Sequence, residues 1–159
     1  MIRAAKPSDA AAIVDIWNRV IRDTTITFTT IEKTPADITD LIAGSPVFVA
    51  ETDRVIGFCT FGPFRAGPGY RFVAEHSIHV DPSAHRTGVG GALMDQLETQ
   101  AASQGIDTLI GGMTGDNARS IAFHIARGFK QVGYLPDLGE KFGARHDLVL
   151  MQKQLHVSH

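Results

Sequence analysis

The chain has 159 residues, 43% of them hydrophobic, which gives it room for one sizeable core rather than two. Its 15 basic and 17 acidic residues leave a net charge of −2 with no block of like charge, which argues against a nucleic-acid binder and its basic stripe. A single cysteine, Cys59, excludes an intrachain disulfide, and no segment is long and apolar enough to span a bilayer, so the expected compartment is the cytoplasm.

Met1 to Ala5 reads as a short strand. Pro7-Ser8-Asp9 then opens a helix whose Ile13, Ile16, Trp17, Val20 and Ile21 recur on one face. Thr24 to Thr34 is rich in β-branched residues but lies between a helix and Pro35, and is expected to be an irregular or partly extended loop. A short helix from Pro35 to Ala43 ends at Gly44, and Val47 to Ala50 with Val55 to Phe61 reads as a hairpin turning at Thr52-Asp53. Cys59 lies in the apolar run of the second strand, and reads as a small buried hydrophobe because apolar burial raises a thiol pKa.

After the glycine- and proline-rich stretch Gly62 to Gly69, an extended segment is expected from about Tyr70 to Val80, stopped by Asp81-Pro82. The helix from Gly88 to about Gln104 carries a stripe of Val89, Leu93, Leu97 and Ala101. A strand from Ile106 to Met113, a helix from Ala118 to Arg127 closed by Gly128, and strands at Phe129 to Leu135 and His146 to Gln154 complete the chain. These elements predict a mixed α/β fold with one sheet and no internal repeat.

The segment with chemical content is Ser77 to Met94, a strand, a turn and glycines that open an amphipathic helix. A helix start leaves backbone N–H groups without partners and carries partial positive charge, so it seats anions. Gly88, Gly90 and Gly91 remove Cβ atoms that would hold a phosphate away; the competing reading is that they only let helix and strand pack closely. The spacing does not fit the dinucleotide fingerprint, and the Gly-Lys-Ser/Thr of a triphosphate loop is absent.

The run His85-Arg86-Thr87-Gly88-Val89-Gly90 resembles the Gln/Arg-x-x-Gly-x-Gly/Ala loop of the GNAT superfamily of N-acetyltransferases, with His85 departing from its first position. Asn117 to Phe129 resembles that superfamily's second motif, downstream at the expected interval. Within the superfamily the chain is similar to the phosphinothricin and methionine sulfone/sulfoximine acetyltransferase group. The supporting residues are Thr27-Phe28-Thr29, Tyr70-Arg71 followed by Glu75, His124, and Lys141 to Asp147; Val73 and Arg145 depart from it. The resemblance implies a single N-acetyltransferase domain over residues 1–159, with a central mixed, mostly antiparallel sheet flanked by helices and splayed at the acetyl-CoA site. It also implies a homodimer.

Thioester aminolysis needs a neutral amine, a polarised carbonyl and a way to discharge the thiolate. The resemblance places Glu75 as general base, and His124 where many members carry the tyrosine that protonates the departing sulfur; the plainer readings are an exposed strand glutamate and a polar residue lining a helix. It places acetyl-CoA on Ile78, His79, Val80, His85, Arg86, Thr87, Gly88, Val89, Gly90, Gly91, Asn117 and Ser120. Within that set Val80 N–H polarises the acetyl carbonyl, and Asn117 reaches the pantetheine or simply caps the following helix. Phe28, Tyr70, Arg71 and Arg145 are the acceptor candidates, the arginines suited to a carboxylate or phosphinate. His76, His79 and His85 lack metal-ligand spacing, so no metal is expected. The function implied is acetyl transfer to a small amino-acid-like amine; the alternatives are protein or peptide acetylation and a CoA-binding sensor without turnover.

Overall fold

The computed structural model describes residues 1–159. Strands β1 (Ile2–Ala4), β2 (Val47–Glu51), β3 (Val55–Pro63), β4 (Val73–Val80), β5 (Thr108–Thr114), β6 (Lys130–Lys141) and β7 (Ala144–Gln154) form one sheet in the order β1-β2-β3-β4-β5-β7-β6. Helices α1 (Ala10–Asp23), α2 (Pro35–Gly44), α3 (Val89–Ser103) and α4 (Ala118–Ala126) flank it. Every strand pair is antiparallel except β4 with β5.

The core divides between the two faces of the sheet. One cluster sets Leu93, Leu97 and Ala101 of α3 against Cys59, Ala74, Leu109 and Met151, so the predicted α3 stripe is the buried one. The other sets Ile13 and Ile16 of α1 and Ile38 of α2 against Val47, Val49 and Phe58. Cys59 is fully buried, its thiol pushed up to about 12 by desolvation, in keeping with an inert core residue. Helix α2 starts on a capping box: Asp37 N–H donates to Thr34 Oγ1 at 3.2 Å and Thr34 N–H to the Asp37 carboxylate at 2.8 Å.

Several boundaries differ from the sequence expectation, three of them for reasons visible in the backbone. Residues Pro68–Tyr70 make a single 3₁₀ turn, so β4 begins at Val73 rather than Tyr70. Strand β6 runs past the expected end at Leu135, through Pro136 and Asp137 to Lys141, because the register shift between Leu135 and Gly139, with Asp137 at φ 53°, absorbs the irregular residues as a bulge. Strand β7 starts at Ala144 because Phe142 and Gly143, at φ 54° and 73°, form a two-residue turn that twists as the strands do. Residues 24–34 form the irregular loop the sequence predicts. Lys33 N–H donates to Asn18 Oδ1 at 2.7 Å, and Lys141 Nζ donates to Thr27 O at 2.7 Å, tying the loop to α1 and to β6.

Candidate active site

The sheet opens between its two parallel strands. Residues Val73 to Glu75 of β4 pair with Thr108 to Ile110 of β5, and there the pairing stops. Strand β4 continues on β3 to Val80, and β5 continues on β7 to Thr114. Asp81 N–H donates to Ile56 O at 2.8 Å and Phe64 N–H to Val73 O, so the odd-numbered residues of β4 bond to β3. By the alternation of an antiparallel ladder, the backbone groups of Ile78 and Val80 face the opening instead.

A cleft of about 740 Å³ occupies that opening. Ile78, His79 and Val80 form one wall, Asn117, Ser120 and Phe123 of α4 another, and His85, Arg86, Gly88, Gly90 and Gly91 the end at the start of α3. The first hydrogen bond of α3 is Ala92 N–H to Gly88 O at 3.1 Å, which leaves the preceding N–H groups of the turn without helical acceptors. Arg19, Arg86 and Arg119 also line it, against Asp23 as the one carboxylate, so the cleft suits a polyanion with an apolar arm.

The glycines serve different needs. Gly88 lies at φ 85°, a left-handed conformation that side chains resist, and has open space around it. A Cβ on Gly91 would lie 3.0 Å from Arg127 Nη1, and one on Gly90 3.4 Å from the Phe123 ring, so these two let α4 pack closely. Close packing is therefore met at Gly90 and Gly91, against α4 rather than against a strand.

Most of the predicted acetyl-CoA set lies together in the cleft. Thr87 and Val89 belong to the same loop but turn away: Thr87 Oγ1 donates to Ala84 O, and Val89 packs on the core. Asn117 caps α4 by accepting from Ser120 N–H at 3.2 Å, while also lining the cleft. His85 donates Nε2–H to Val80 O at 3.2 Å, and Arg119 donates to its Nδ1, so the ring bridges the two walls. Arg19 and Arg119 went unpredicted. Arg119 sits inside the Asn117 to Phe129 motif, next to residues that were picked out, whereas nothing local marks Arg19.

Glu75 and His124 flank the opening from opposite faces of the sheet. His79 packs on Trp17 of α1, with ring centroids 5.9 Å apart, so Glu75, on the same alternation, projects towards α1. Glu75 is exposed, and desolvation by the protein around it pushes its carboxyl upward. His79 itself is half-buried, and burial lowers its imidazole to about 4. On the other face His76 and His124 stack, with centroids 5.2 Å apart and Nε2 to Nε2 at 3.0 Å. Burial lowers both pKa values.

The acceptor candidates are not brought together. Phe28 stacks on His146, centroids 6.0 Å apart, and presses so closely on Gly139 that a Cβ there would lie 2.3 Å from its ring. Arg145 donates to Asp137 O at 3.2 Å, within the β6–β7 hairpin. Tyr70 and Arg71 line a separate recess of about 440 Å³ with Arg65, at the end of β4 remote from Ile78 to Val80.

Residues 14–129 match the model of the acetyltransferase (GNAT) family. The chain belongs to the GNAT acetyltransferase family. It is 34% identical to the L-methionine sulfoximine/L-methionine sulfone acetyltransferase of Salmonella typhimurium, over 97% of this chain and 94% of that one. Its fold is similar to that of a GNAT superfamily phosphinothricin acetyltransferase from Sinorhizobium meliloti solved with acetyl-CoA, with a TM-score of 0.92 and 29% identity over 98% of this chain and 88% of that one. It is also similar to the ribosomal-protein-alanine N-acetyltransferase of Brucella melitensis, with a TM-score of 0.93 and 34% identity over 98% and 99% of the two chains. In this GNAT protein the break between β4 and β5 leaves the backbone of Ile78 and Val80 beside the start of α3.

Proposed function

We propose that this protein transfers the acetyl group of acetyl-CoA directly to the primary amine of a small amino-acid-like acceptor of the phosphinothricin or methionine sulfone/sulfoximine type. The observation that carries the reading is the cleft: N–H groups without helical acceptors at the start of α3, three arginines, and the strand backbone of Ile78 and Val80, with Val80 N–H unpaired, line one cavity. The pyrophosphate sits on the α3 turn, with Arg86 and Arg119 at its flanks. The pantetheine amides pair with Ile78 and Val80 as an added strand would, with Asn117 completing them. Val80 N–H polarises the acetyl carbonyl as it becomes an oxyanion.

Glu75 takes one proton from the ammonium, and the desolvation that raises its pKa strengthens it as a base. The neutral amine attacks the thioester carbon, the C–S bond breaks, and the amine's second proton goes to the leaving sulfur. The products are an amide, CoA thiol and one proton held on Glu75. His124 does not line the cleft; Ser120 does, and its Oγ lies 3.4 Å from His124 Nδ1, so His124 supports the leaving sulfur through Ser120. Phe28, Tyr70, Arg71 and Arg145 hold the acceptor once two protomers meet. Support for such a homodimer is the apolar edge strand β6, where Val132, Tyr134 and Leu138 are exposed beside Phe142 in the adjoining turn. The whole chain acts as one N-acetyltransferase domain in the cytoplasm.

The similarity to a ribosomal-protein-alanine acetyltransferase favours a second reading, in which the acceptor is a protein N-terminus. Acetyl-CoA offered with free amino acids, and separately with peptides bearing N-terminal alanine, separates the two. Turnover of methionine sulfone with none of peptides supports the first reading; the reverse refutes it. In Glu75→Gln, kcat should fall by roughly 10²-fold or more with loss of the acidic limb of its pH profile. An unchanged profile removes Glu75 as base.

A further inference from the structure

Four buried side-chain polar atoms lack a hydrogen-bond partner, Thr27 Oγ1, His76 Nδ1, Glu98 Oε1 and Arg127 Nε, and of these residues His76 is the one whose ring touches His124. His76 Nδ1 has no hydrogen-bond partner, although its residue is only 7% exposed. Buried polar atoms are generally paired, so an orphan inside a close-packed site calls for a reason.

The hydrogen bonds of the pair define the proton positions. His124 Nδ1 lies 2.7 Å from the backbone oxygen of Ser120, which can only accept, so Nδ1 carries the hydrogen. In a neutral ring Nε2 of His124 is then a lone pair. His76 Nε2, 3.0 Å away, must be the donor, and its Nδ1 is left bare. Placing the His76 proton on Nδ1 instead, towards the backbone of Ile110, finds no hydrogen-bond geometry and sets two lone pairs face to face at 3.0 Å. The orphan atom is thus the consequence of a one-way chain: His76 Nε2–H to His124 Nε2, and His124 Nδ1–H to Ser120.

The surroundings hold this chain in place. A Cβ on Gly111 would lie 2.9 Å from His76 Cε1 and 3.2 Å from His124 Nε2, so β5 opens a slot for both rings. Phe129 lies 5.4 Å from one ring and 4.9 Å from the other, and Phe123 meets His124 edge-on. Neither imidazole forms an ion pair or bonds to a carboxylate. Glu75 on β4 projects from the opposite face, and on β7 Lys153 Nζ is 5.9 Å from the Phe129 ring centroid. From α4, Ser120 is the polar neighbour, and the residue lines the cleft.

We propose that His76 is a positioning residue for acetyl transfer: by donating Nε2–H to His124 it holds that ring as the Nδ1–H tautomer, with the proton at Ser120 in the cleft wall. His124 Nδ1, 3.4 Å from Ser120 Oγ, spends its hydrogen on Ser120 O and offers the hydroxyl no lone pair, which leaves the Ser120 hydrogen free to turn towards the cleft and the leaving sulfur. The functional half of this proposal rests on the acetyl-CoA reading of the cleft; the tautomer half does not.

Long-range ¹H–¹⁵N correlation spectra of the ¹⁵N-histidine-labelled full chain test it without substrate. At pH 7 they should show His124 protonated on Nδ1 and His76 on Nε2, both neutral. His124 protonated on Nε2, or either ring charged, overturns the proposal. Substitution then tests the role. His76→Phe keeps a ring but no donor, and should release His124 into exchange between tautomers and lower kcat by about tenfold or more, with KM for acetyl-CoA within about twofold. His76→Gln, which can still donate, should recover most of the loss. If His76→Phe leaves the His124 tautomer, kcat and its pH profile unchanged, His76 has no positioning role. Gly111→Ala, which wedges the rings apart, supplies the same comparison should His76→Phe not fold.

Discussion

Lowering the pH from 7 to 5 should destabilise the fold through its buried histidines, and replacing His76 should remove a defined share of that loss. Burial holds His76 and His124 well below the ordinary histidine pKa, which is about 6.5 in an unfolded chain. Between the two values the unfolded chain binds more protons, so stability rises with pH across that window and is lost as the pH falls through about 6.5. For one histidine kept neutral down to pH 5, the proton uptake of the unfolded state is worth about 2 kcal/mol, against about 0.2 kcal/mol at pH 7. The loss between pH 7 and 5 in His76→Phe should therefore be smaller than in the wild type by about 2 kcal/mol, although its stability at pH 7 falls because Gly111 leaves little spare room. Urea denaturation at both pH values and constant ionic strength, followed by circular dichroism, measures both differences, and the comparison cancels the titration of every carboxylate. Equal losses in the two proteins would mean that His76 is not held neutral, and would refute the reasoning.

Gly139→Ala should expel the Phe28 ring that fills the space of its missing Cβ, costing about 1–3 kcal/mol in urea denaturation and raising KM for the acceptor more than for acetyl-CoA. Gly88→Ala places a side chain at φ 85°, and should cost about 1–2 kcal/mol of stability together with weaker acetyl-CoA binding by calorimetry. Arg119→Ala should weaken CoA binding by about tenfold or more, with a shallower salt dependence, because it removes one of three cleft arginines; affinity insensitive to both would place the phosphates elsewhere. Tyr134→Glu on the exposed β6 edge should shift sedimentation from dimer to monomer, and an unchanged species in wild type and variant would move the proposed interface.

Much of this architecture follows from local pattern. The α3 stripe, the Thr34 cap and the left-handed Gly88 are each set by residues within a few positions, where period, side-chain reach and backbone sterics act directly. The break between β4 and β5 is not of that kind. It depends on where two strands distant in sequence cease to pair, and no period within either marks Glu75 and Ile110 as the last pair. The contact between His76 and His124 spans 48 positions and unites a strand with a helix, so each histidine taken alone reads as an ordinary polar residue. Strand β6 extends beyond Leu135 because cross-strand pairing with β7 carries Pro136 and Asp137, turn residues by composition, as a bulge. The acceptor candidates suffer most: Phe28 and Arg145 were chosen by motif, and their neighbours in the fold are His146, Gly139 and Asp137.

The central claim is that the cleft between β4 and α4 presents an acetyl thioester to a small amine. Purified protein, acetyl-CoA and a panel of free amino acids including methionine sulfone, with thiol release followed in time, tests it most directly. The account predicts stoichiometric release of CoA thiol and N-acetylated product with the sulfone or a close analogue, and none without an amine. Tight CoA binding with no release for any free amine would contradict it.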